Sequence, residues 1–359
     1  MTTDTITPVS WWHALADGRL QCDLCPRFCK LREGQRGLCF VRGRENDTLN
    51  LYTFGRSSGF CVDPIEKKPL NHFLPGSPVL SFGTAGCNLA CKFCQNWDIS
   101  KSRQMDTLAD HASPENLAAA AKRLKCSSIA FTYNDPLIFL EYAVAVADAC
   151  RALGIRSVAV TAGYVTPAPR AEFFRHMDAA NVDLKAFSER FYRDICGGRL
   201  APVLDTLLYL KHETNVWFEL TTLLIPGEND SAKEIDEMTR WVVEHLGPSV
   251  PMHFTAFHPD WKMRDKPRTP AATLARARRI AIDNGVRYAY TGNIHDSAGG
   301  STYCHHCNEL LIERDWYRLG RWNLSNDGRC RACDTPMAGV IDGPQGNWGP
   351  RRQAVRLSA

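Results

Sequence analysis

The chain of 359 residues lacks the sequence features of a secreted or membrane-spanning protein. Its first ten residues contain no basic segment followed by an apolar one, as a signal peptide requires. No uninterrupted apolar run approaches the roughly 20 residues that a membrane-spanning helix needs. We therefore expect a cytoplasmic protein without a membrane partner.

The chain also carries little net charge, and its apolar and charged fractions of 44% and 23% are typical of globular proteins. A formal charge of +4 is too small to indicate nucleic-acid binding by itself. No basic helix with interleaved aromatic residues is found in the sequence. These observations argue against a nucleic-acid partner.

Cysteine, in contrast, is abundant, with 15 residues. In a reducing cytosol this abundance favours metal ligation over disulfides. Eleven of them fall into three groups: Cys22, Cys25, Cys29 and Cys39; Cys87, Cys91 and Cys94; and Cys304, Cys307, Cys330 and Cys333. The other four, Cys61, Cys126, Cys150 and Cys196, we interpret as small apolar core residues.

The central group has the spacing C-x3-C-x2-C and no fourth cysteine nearby. A [4Fe-4S] cluster with three protein ligands keeps one iron open to a small molecule. Zinc is the alternative metal, since His72 or His111 can complete a site of three cysteines and one histidine. The spacing favours the cluster, and electron carriers with four ligands lack such an open iron.

Strand and helix patterns alternate from Val79 onward, which indicates parallel βαβ units. Predicted strands are Val79–Gly83, Ser128–Thr132, Ser157–Thr161, Asn181–Ala186, Val216–Ile225, Pro251–Phe257 and Val286–Tyr290. The predicted fold class is α/β, a partial (β/α)6-type TIM barrel with a Cys-rich N-terminal segment and a C-terminal zinc-ribbon-like module. Because chemistry gathers at the C-terminal ends of parallel strands, the central cysteines, which follow the first strand, lie where a cofactor is expected.

The two outer cysteine groups predict further metal sites. The C-terminal group consists of two C-x2-C pairs, the spacing of a zinc ribbon, and a rubredoxin-like iron site uses the same four thiolates. We interpret it as a metal staple, that is, a metal site that stabilises a small module. The alternative is that the module docks a partner protein. The N-terminal group, C-x2-C-x3-C-x9-C, fits either a zinc knot or an auxiliary [4Fe-4S] cluster.

The central motif, with Phe93 before its third cysteine, resembles the signature of the radical S-adenosylmethionine (SAM) superfamily. Cys94-Gln95-Asn96 is similar to the branch of the pyruvate formate-lyase activating enzymes. The N-terminal Cys-Pro-rich segment and the C-terminal pairs resemble the AmmeMemoRadiSam system radical SAM enzymes, a group named for its association with two partner protein families. The resemblance covers nearly the whole chain.

The resemblance implies a set of cofactor contacts. Three further segments match elements of the branch: Asp183-Leu184-Lys185, the segment from Leu224-Ile225 to Asp230, and His253. Thr132-Tyr133-Asn134-Asp135-Pro136 stands where the branch has a Gly-Gly-Glu segment, and it lacks the glycine pair. The SAM-binding residues so implied are Phe93, Asn96, Asn134, Asp135, Asp183, Lys185, Ile225 and His253.

The function so predicted is reductive cleavage of SAM to a 5′-deoxyadenosyl radical, which abstracts hydrogen from a small molecule or from a glycine of a partner protein. The cluster performs the chemistry, so no separate catalytic side chain is assigned. Expected partners are SAM, proteins of the two associated families, and an electron donor such as flavodoxin or ferredoxin. The alternative from another class is a zinc-binding scaffold or nucleic-acid-binding protein.

Four segments complete the sequence-based description. They are residues 1–70 as the Cys-rich segment, 71–291 as the partial barrel, 302–342 as the zinc-ribbon or rubredoxin-like module, and 343–359 as a flexible tail rich in Gly, Pro and Arg.

Overall fold

The computed structural model describes residues 6–101 and 110–357. Its main sheet contains seven parallel strands in the order in which they follow one another along the chain. They are β8 (Pro78–Gly83), β10 (Ser128–Phe131), β11 (Arg156–Thr161), β12 (Ala179–Asp183), β13 (Trp217–Leu224), β14 (Met252–Ala256) and β15 (Ala289–Gly292). The α/β class and the largely parallel sheet are confirmed, and closure into a partial barrel stays a prediction.

The sheet has more strands than the sequence pattern predicted, because β7 (Arg56–Pro64) pairs antiparallel with β8. Two short strands, β9 (Asp110–His111) and β19 (Gln353–Ala354), pair with β7 in turn. β7 lies before the expected barrel boundary at residue 71, and it was missed because its Arg, Ser and Gly residues obscure the strand periodicity.

Helices follow the parallel strands along the chain. They are α1 (Trp97–Ser100), α2 (Pro114–Arg123), α3 (Leu140–Ala152), α4 (Pro167–Phe174), α5 (Glu189–Phe191), α6 (Ala201–Glu213), α7 (Ala232–Leu246), α8 (Ala271–Asp283) and α9 (Ser297–Gly300), with a π-helical turn at Tyr192–Cys196. The Ser113 hydroxyl accepts from Asn116 N–H at the start of α2, where Ser is the N-cap and Pro114 the first helical residue. The sequence pattern predicts helices corresponding to α2, α3, α7 and α8, but not the longer α4 and α6 or the short α1, α5 and α9.

The two faces of the sheet have different environments. Cross-strand neighbours Phe82, Phe131 and Ala159 belong to the large apolar core that includes the helices. The opposite face packs Ala130 and Val158 against apolar residues of the segment that precedes β8. Every second residue of a strand lies on this second face. Toward the carboxyl ends of the strands, the side chains on this face are polar.

Small sheets flank the main one. In the N-terminal part they comprise β1 (Thr7–Pro8), β5 (Arg42–Glu45) and β6 (Thr48–Leu51) in one sheet, and β2 (Trp12–Ala14), β3 (Leu20–Cys22) and β4 (Lys30–Leu31) in another. The C-terminal part contains β16 (Thr302–Tyr303), β17 (Leu310–Asp315) and β18 (Arg318–Trp322).

The segment expected to be a flexible tail is in part a sheet strand. Gln353 and Ala354 pair with Val62 and Cys61 of β7, and Val355 N–H donates to the Phe60 carbonyl at 2.9 Å. The unpaired edge of β7 provides these hydrogen bonds, and composition alone does not reveal such a partner. No helix within residues 6–101 or 110–357 combines the length and apolar character needed to cross a membrane.

Candidate active site at the carboxyl edge of the sheet

The central cysteines lie in the loop between β8 and α1, at the edge where all seven parallel strands end. Backbone hydrogen bonds tie this loop to the π-helical turn: Ala90 N–H donates to the Cys196 carbonyl at 2.8 Å and Lys92 N–H to that of Ile195 at 3.0 Å. The loop therefore has a fixed path between two elements of the fold.

The start of the loop requires glycine at position 86. Gly86 has a φ of +80°, and a Cβ there would lie 1.9 Å from the Cys39 carbonyl oxygen. A side chain would clash with the N-terminal segment, so this close approach depends on a residue without Cβ. The N-terminal cysteine group is thus packed directly against the central one.

The three central thiols differ in environment. Cys91 is 7% exposed, whereas Cys87 and Cys94 are half-buried. Burial raises the pKa of Cys87 to about 11 and also raises that of Cys94, whose sulfur lies 3.0 Å from the Ser100 hydroxyl. A hydrogen bond with the Cys196 thiol, and then the charges of Lys185 and Lys101, lower the pKa of Cys91.

Cys196 was missed as a site residue. It is one of the four cysteines assigned to the core, and it is buried, but its thiol interacts with Cys91. No local signal marks it, since its partner is far away along the chain. The pairing arises because the π-helical turn after α5 packs on the cysteine loop.

Asp183 and Lys185 follow β12 and lie beside the cysteine loop. Lys185 Nζ is 2.8 Å from Asp183 Oδ2 and 5.8 Å from the centroid of the Phe93 ring. Burial opposes the charge of Lys185, but the neighbouring Asp183 and Cys91 hold the pKa of this ammonium well above its usual value. The structure therefore brings together a cation, an acid, an aromatic ring and a thiol that the sequence pattern singled out.

Asn134 and Asp135, also singled out by sequence, make hydrogen bonds within the protein. Asn134 Oδ1 accepts from Thr84 N–H at 3.0 Å, and its Nδ2 donates to the Gly86 carbonyl at 2.9 Å. Asp135 accepts from Thr161 Oγ1 at 2.9 Å and from Ala162 N–H at 3.0 Å, and burial raises the pKa of Asp135. Both side chains hold the loops that follow neighbouring strands.

Asn229 holds the loops that follow β12 and β13 through hydrogen bonds of its side-chain amide. It was not predicted as a site residue. Its side chain accepts from Ile225 N–H at 2.7 Å and donates to the carbonyls of Lys185 at 2.7 Å and Leu223 at 2.9 Å. Asn229 is fully buried. Ile225 and Lys185, two predicted cofactor contacts, are therefore positioned by one amide.

His253 lies on β14, and its Nε2 is 2.7 Å from Oε2 of the fully buried Glu219. Glu219 Oε1 also accepts from His72 N–H at 2.7 Å, and burial lowers the pKa of His72 to about 4. Although burial opposes it, the hydrogen bond with His253 lowers the pKa of Glu219. Asn96, in contrast, is exposed at the start of α1.

One face of the sheet carries polar atoms that have no hydrogen-bond partner in the described residues. Thr221 pairs in register with Asp183 and His253, so its side chain is on the same face as theirs. The buried atoms concerned are Ser81 Oγ, Ser128 Oγ, Asn181 Oδ1 and Thr221 Oγ1. Buried polar groups in native proteins are paired, and this face is therefore suited to a polar ligand.

The C-terminal cysteines come together as the spacing predicted. The sulfurs of Cys304, Cys307, Cys330 and Cys333 all lie within 4.8 Å of one another, with Cys304 and Cys333 3.6 Å apart. Such convergence suits a single metal ion bound by four thiolates.

The chain matches the family profile of the radical SAM superfamily over residues 82–242. This range contains the cysteine loop and the Asp183–Lys185 pair. The chain is also 36% identical over 324 residues to the uncharacterized protein MJ0808 of Methanocaldococcus jannaschii, an alignment that covers 90% of this chain and 96% of the relative. Residues 82–242 therefore form a radical SAM domain.

A solved structure shares the fold of the chain. SuiB of Streptococcus suis, solved with its precursor peptide SuiA, aligns with this chain at a TM-score of 0.50 and 14% identity. The alignment covers 64% of this chain and 52% of SuiB, so the chain spans about half of that length. A domain of a pyruvate-formate lyase-activating enzyme from Bacteroides vulgatus aligns at 17% identity and a TM-score of 0.42, covering 46% of this chain and 99% of the domain.

A radical SAM domain implies a [4Fe-4S] cluster and SAM, and the residues present fit them. Three thiols on one anchored loop would supply three of the four iron ligands of such a cluster and leave one iron open. The half-buried Lys185 and the unpartnered polar atoms on the adjoining face suit an anionic and polar ligand such as SAM.

Proposed function

We propose that the chain cleaves SAM reductively at a [4Fe-4S] cluster held by Cys87, Cys91 and Cys94. The observation that carries this proposal is the anchoring of the cysteine loop at the carboxyl edge, beside Lys185 and Asp183. When bound, the cluster supplies one electron to SAM, which yields methionine and a 5′-deoxyadenosyl radical that takes hydrogen from the substrate.

The proposed SAM contacts follow the strand ends. Lys185, with Asp183, binds the methionine carboxylate and ribose; Ile225 packs against the adenine; His253, held by Glu219, faces SAM from β14. Phe93 and Asn96 border the cluster. We assign Asn134 and Asp135 to the positioning of the cysteine loop and the β11 loop near the amino group, since their side chains bond those loops.

We propose further that the sheet is the wall of a partial barrel. Its helix-covered face is apolar, and its other face is filled at the amino end by Ile65, Leu70 and Phe73. Such a wall limits access of water and of unintended hydrogen donors to a primary carbon radical. The C-terminal group of four cysteines is proposed to bind zinc as a staple.

The finer assignment is to the activating-enzyme branch, and within it to the AmmeMemoRadiSam system enzymes. It is supported by the Cys94-Gln95-Asn96 stretch and by the cysteine groups at both ends of the chain. The substrate is then a glycine of a partner protein or a small molecule, and the electron donor a flavodoxin or ferredoxin.

The test is an anaerobic assay for 5′-deoxyadenosine. The protein is reconstituted with iron and sulfide, reduced with dithionite or flavodoxin, and given SAM. Wild type should form 5′-deoxyadenosine and methionine in equal amounts, and Cys87→Ala should form neither. Equal rates in the two proteins would contradict the proposal.

A deuterium-labelling experiment distinguishes the two substrate classes. With deuterated glycine incorporated into a candidate partner protein, transfer of deuterium into 5′-deoxyadenosine identifies a protein glycine as the hydrogen donor. Transfer only from a labelled small-molecule extract identifies the other class.

A further inference from the structure

The four N-terminal cysteines surround one cavity, although they come from separate parts of the segment. Cys22 ends β3, and its N–H donates to the Cys29 carbonyl at 2.9 Å. The cavity is lined by Cys22, Cys25, Cys29 and Cys39 together with apolar side chains, among them Leu24, Leu31 and Ile138. Four cysteines thus line a common space with apolar walls.

The separation of these thiols differs from that at the C-terminal site. A zinc ion with bonds of about 2.3 Å to four thiolates brings the sulfurs to within roughly 4 Å of one another. Cys307 and Cys330 meet this at 3.7 Å. In the part of the chain that the structure describes, the C-terminal group alone has three or more potential ligands within 4.8 Å of one another. No three of the N-terminal sulfurs are this close to one another, which differs from the close approach that a single zinc ion requires and leaves room for thiolates on separate irons.

A buried cation borders the same cavity. Arg42 is 1% exposed, donates from Nε to the Ile138 carbonyl at 2.8 Å and pairs through Nη2 with Glu141. Its Nη1 is buried and has no hydrogen-bond partner among residues 6–101 and 110–357. An unpaired guanidinium nitrogen in an apolar setting is costly, and an anionic ligand in the cavity would offset that cost.

We propose that Cys22, Cys25, Cys29 and Cys39 hold a second [4Fe-4S] cluster in this cavity, with Arg42 as the cation facing it. Four protein ligands occupy all four irons, so this cluster binds no SAM and serves only to hold or pass electrons. The proposal does not rest on the function assigned to the central loop, because its ligands are a separate set.

The two cysteine loops are in contact. Arg27, which lines the cavity, donates from Nε to the Asn88 carbonyl at 2.9 Å, and Asn88 itself borders the cavity. The Cys39 carbonyl packs against Gly86 on the other side. Clusters in the two loops would be close enough for their reduced forms to interact magnetically.

The test uses the full chain in which Cys87, Cys91 and Cys94 are all changed to Ala. After anaerobic reconstitution and desalting, iron and acid-labile sulfide are counted, and native mass spectrometry determines the bound mass. The proposal predicts roughly four sulfides per chain and the mass of one four-iron cluster. A mononuclear metal at the C-terminal site contains no sulfide and does not interfere.

Adding Cys25→Ser to that variant should remove the sulfide, whereas adding Cys126→Ser, at a buried cysteine outside all three groups, should not. Zinc at the N-terminal site, with no sulfide in the triple variant, would overturn the proposal. If the Cys25→Ser protein does not fold, the same measurements are made on the wild-type protein. Roughly eight sulfides per chain and a split electron paramagnetic resonance signal would support two clusters. Four sulfides and an unsplit signal contradict them.

Discussion

The three thiols that we propose as cluster ligands have different surroundings. Cys91 is buried beside Lys185 and Cys196, and Cys94 lies near the Ser100 hydroxyl. We expect Cys94→Ala to reduce 5′-deoxyadenosine formation by at least two orders of magnitude, because the cluster loses one of three ligands. The measurement is the anaerobic assay, with circular dichroism to follow folding.

Cys150→Ala is the matched control, since Cys150 is buried in α3 away from the three groups. It should retain the full rate. A Cys94→Ala protein that keeps the wild-type rate would contradict the ligand assignment.

A second prediction concerns Cys196, whose thiol interacts with Cys91. Hydrogen bonds to cluster sulfurs raise the reduction potential. Cys196→Ala should therefore keep about four irons at the central site and lower its midpoint potential by tens of millivolts, on the order seen for such contacts. Redox titration followed by electron paramagnetic resonance measures this. Loss of the central cluster would instead identify Cys196 as a ligand.

At the residue scale, local spacing predicted the positions of the cysteine groups, since C-x3-C-x2-C and C-x2-C are readable patterns. Cys196 and Asn229 were not predicted, because each acts on residues of a different loop. Asn134 and Asp135 were singled out, but their hydrogen-bond partners were not foreseen.

At the element scale, the loops after the strands are tied to one another by buried amides. Asn229→Ala leaves the Lys185 and Leu223 carbonyls and Ile225 N–H without their partner. We expect a loss of about 3 kcal/mol in the free energy of unfolding. SAM affinity should fall as well, since two proposed contacts lie on these loops. Chemical denaturation and equilibrium binding of SAM provide the readouts.

Asn284→Ala is the control for this prediction. Asn284 caps α8, and its amide donates to Asp236 and Thr239 away from the strand ends. It should lower stability while SAM affinity stays constant. Equal losses of SAM affinity in both variants would contradict a positioning role for Asn229.

The alternation of strand and helix patterns predicted all seven parallel strands, with shifted ends at several. β12 begins at Ala179 and β15 at Ala289, each displaced from the predicted start. Strand β7 was missed, because its Arg, Ser and Gly residues obscure the strand periodicity and its antiparallel pairing with β8 belongs to no βαβ unit. Helix α4 begins in the Pro-rich sequence Thr166-Pro167-Ala168-Pro169, whose prolines obscured its pattern.

At the scale of the whole molecule, one buried network joins the main sheet to the C-terminal module. His72 Nε2 lies 2.5 Å from the Tyr290 hydroxyl, which in turn is 2.8 Å from Thr302 Oγ1. Arg314, 2% exposed, donates to Thr302 at 2.6 Å and to the Asn71 carbonyl at 2.8 Å. The module is therefore integrated with the sheet, which its sequence spacing did not indicate.

This network predicts a pH dependence of stability. Burial lowers the pKa of His72 to about 4, below the roughly 6.5 of an unfolded histidine. Between these values the unfolded chain binds a proton that the folded chain does not, so stability falls as pH drops from about 6.5 to 4. The full effect is roughly 3 kcal/mol.

His72→Gln should flatten the slope of unfolding free energy against pH in this window, measured by denaturant titration at several pH values. His111→Gln, at an exposed position, should leave the slope as in wild type. A wild-type slope in His72→Gln would contradict the assignment of the pH dependence to this residue.

The metal site that we propose at the C-terminal cysteines predicts an effect on stability without an effect on SAM cleavage. Cys330→Ser removes one of four converging thiols. We expect loss of about one metal ion per chain and a lower melting temperature, because the module packs on the main sheet. Cleavage of SAM should continue at temperatures below the transition. An unchanged metal content and an unchanged melting temperature would contradict the proposal that a metal ion stabilises this module.

The central claim is that SAM binds the open iron of a cluster with three cysteine ligands. It is tested most directly by electron paramagnetic resonance of the reduced protein with and without SAM, in a variant whose N-terminal cysteines are changed to Ser. We predict that SAM shifts the signal, and that SAM labelled with ¹⁷O in its carboxylate or ¹⁵N in its amine gives hyperfine coupling to the cluster. A signal that SAM leaves unchanged, without such coupling, would contradict the account.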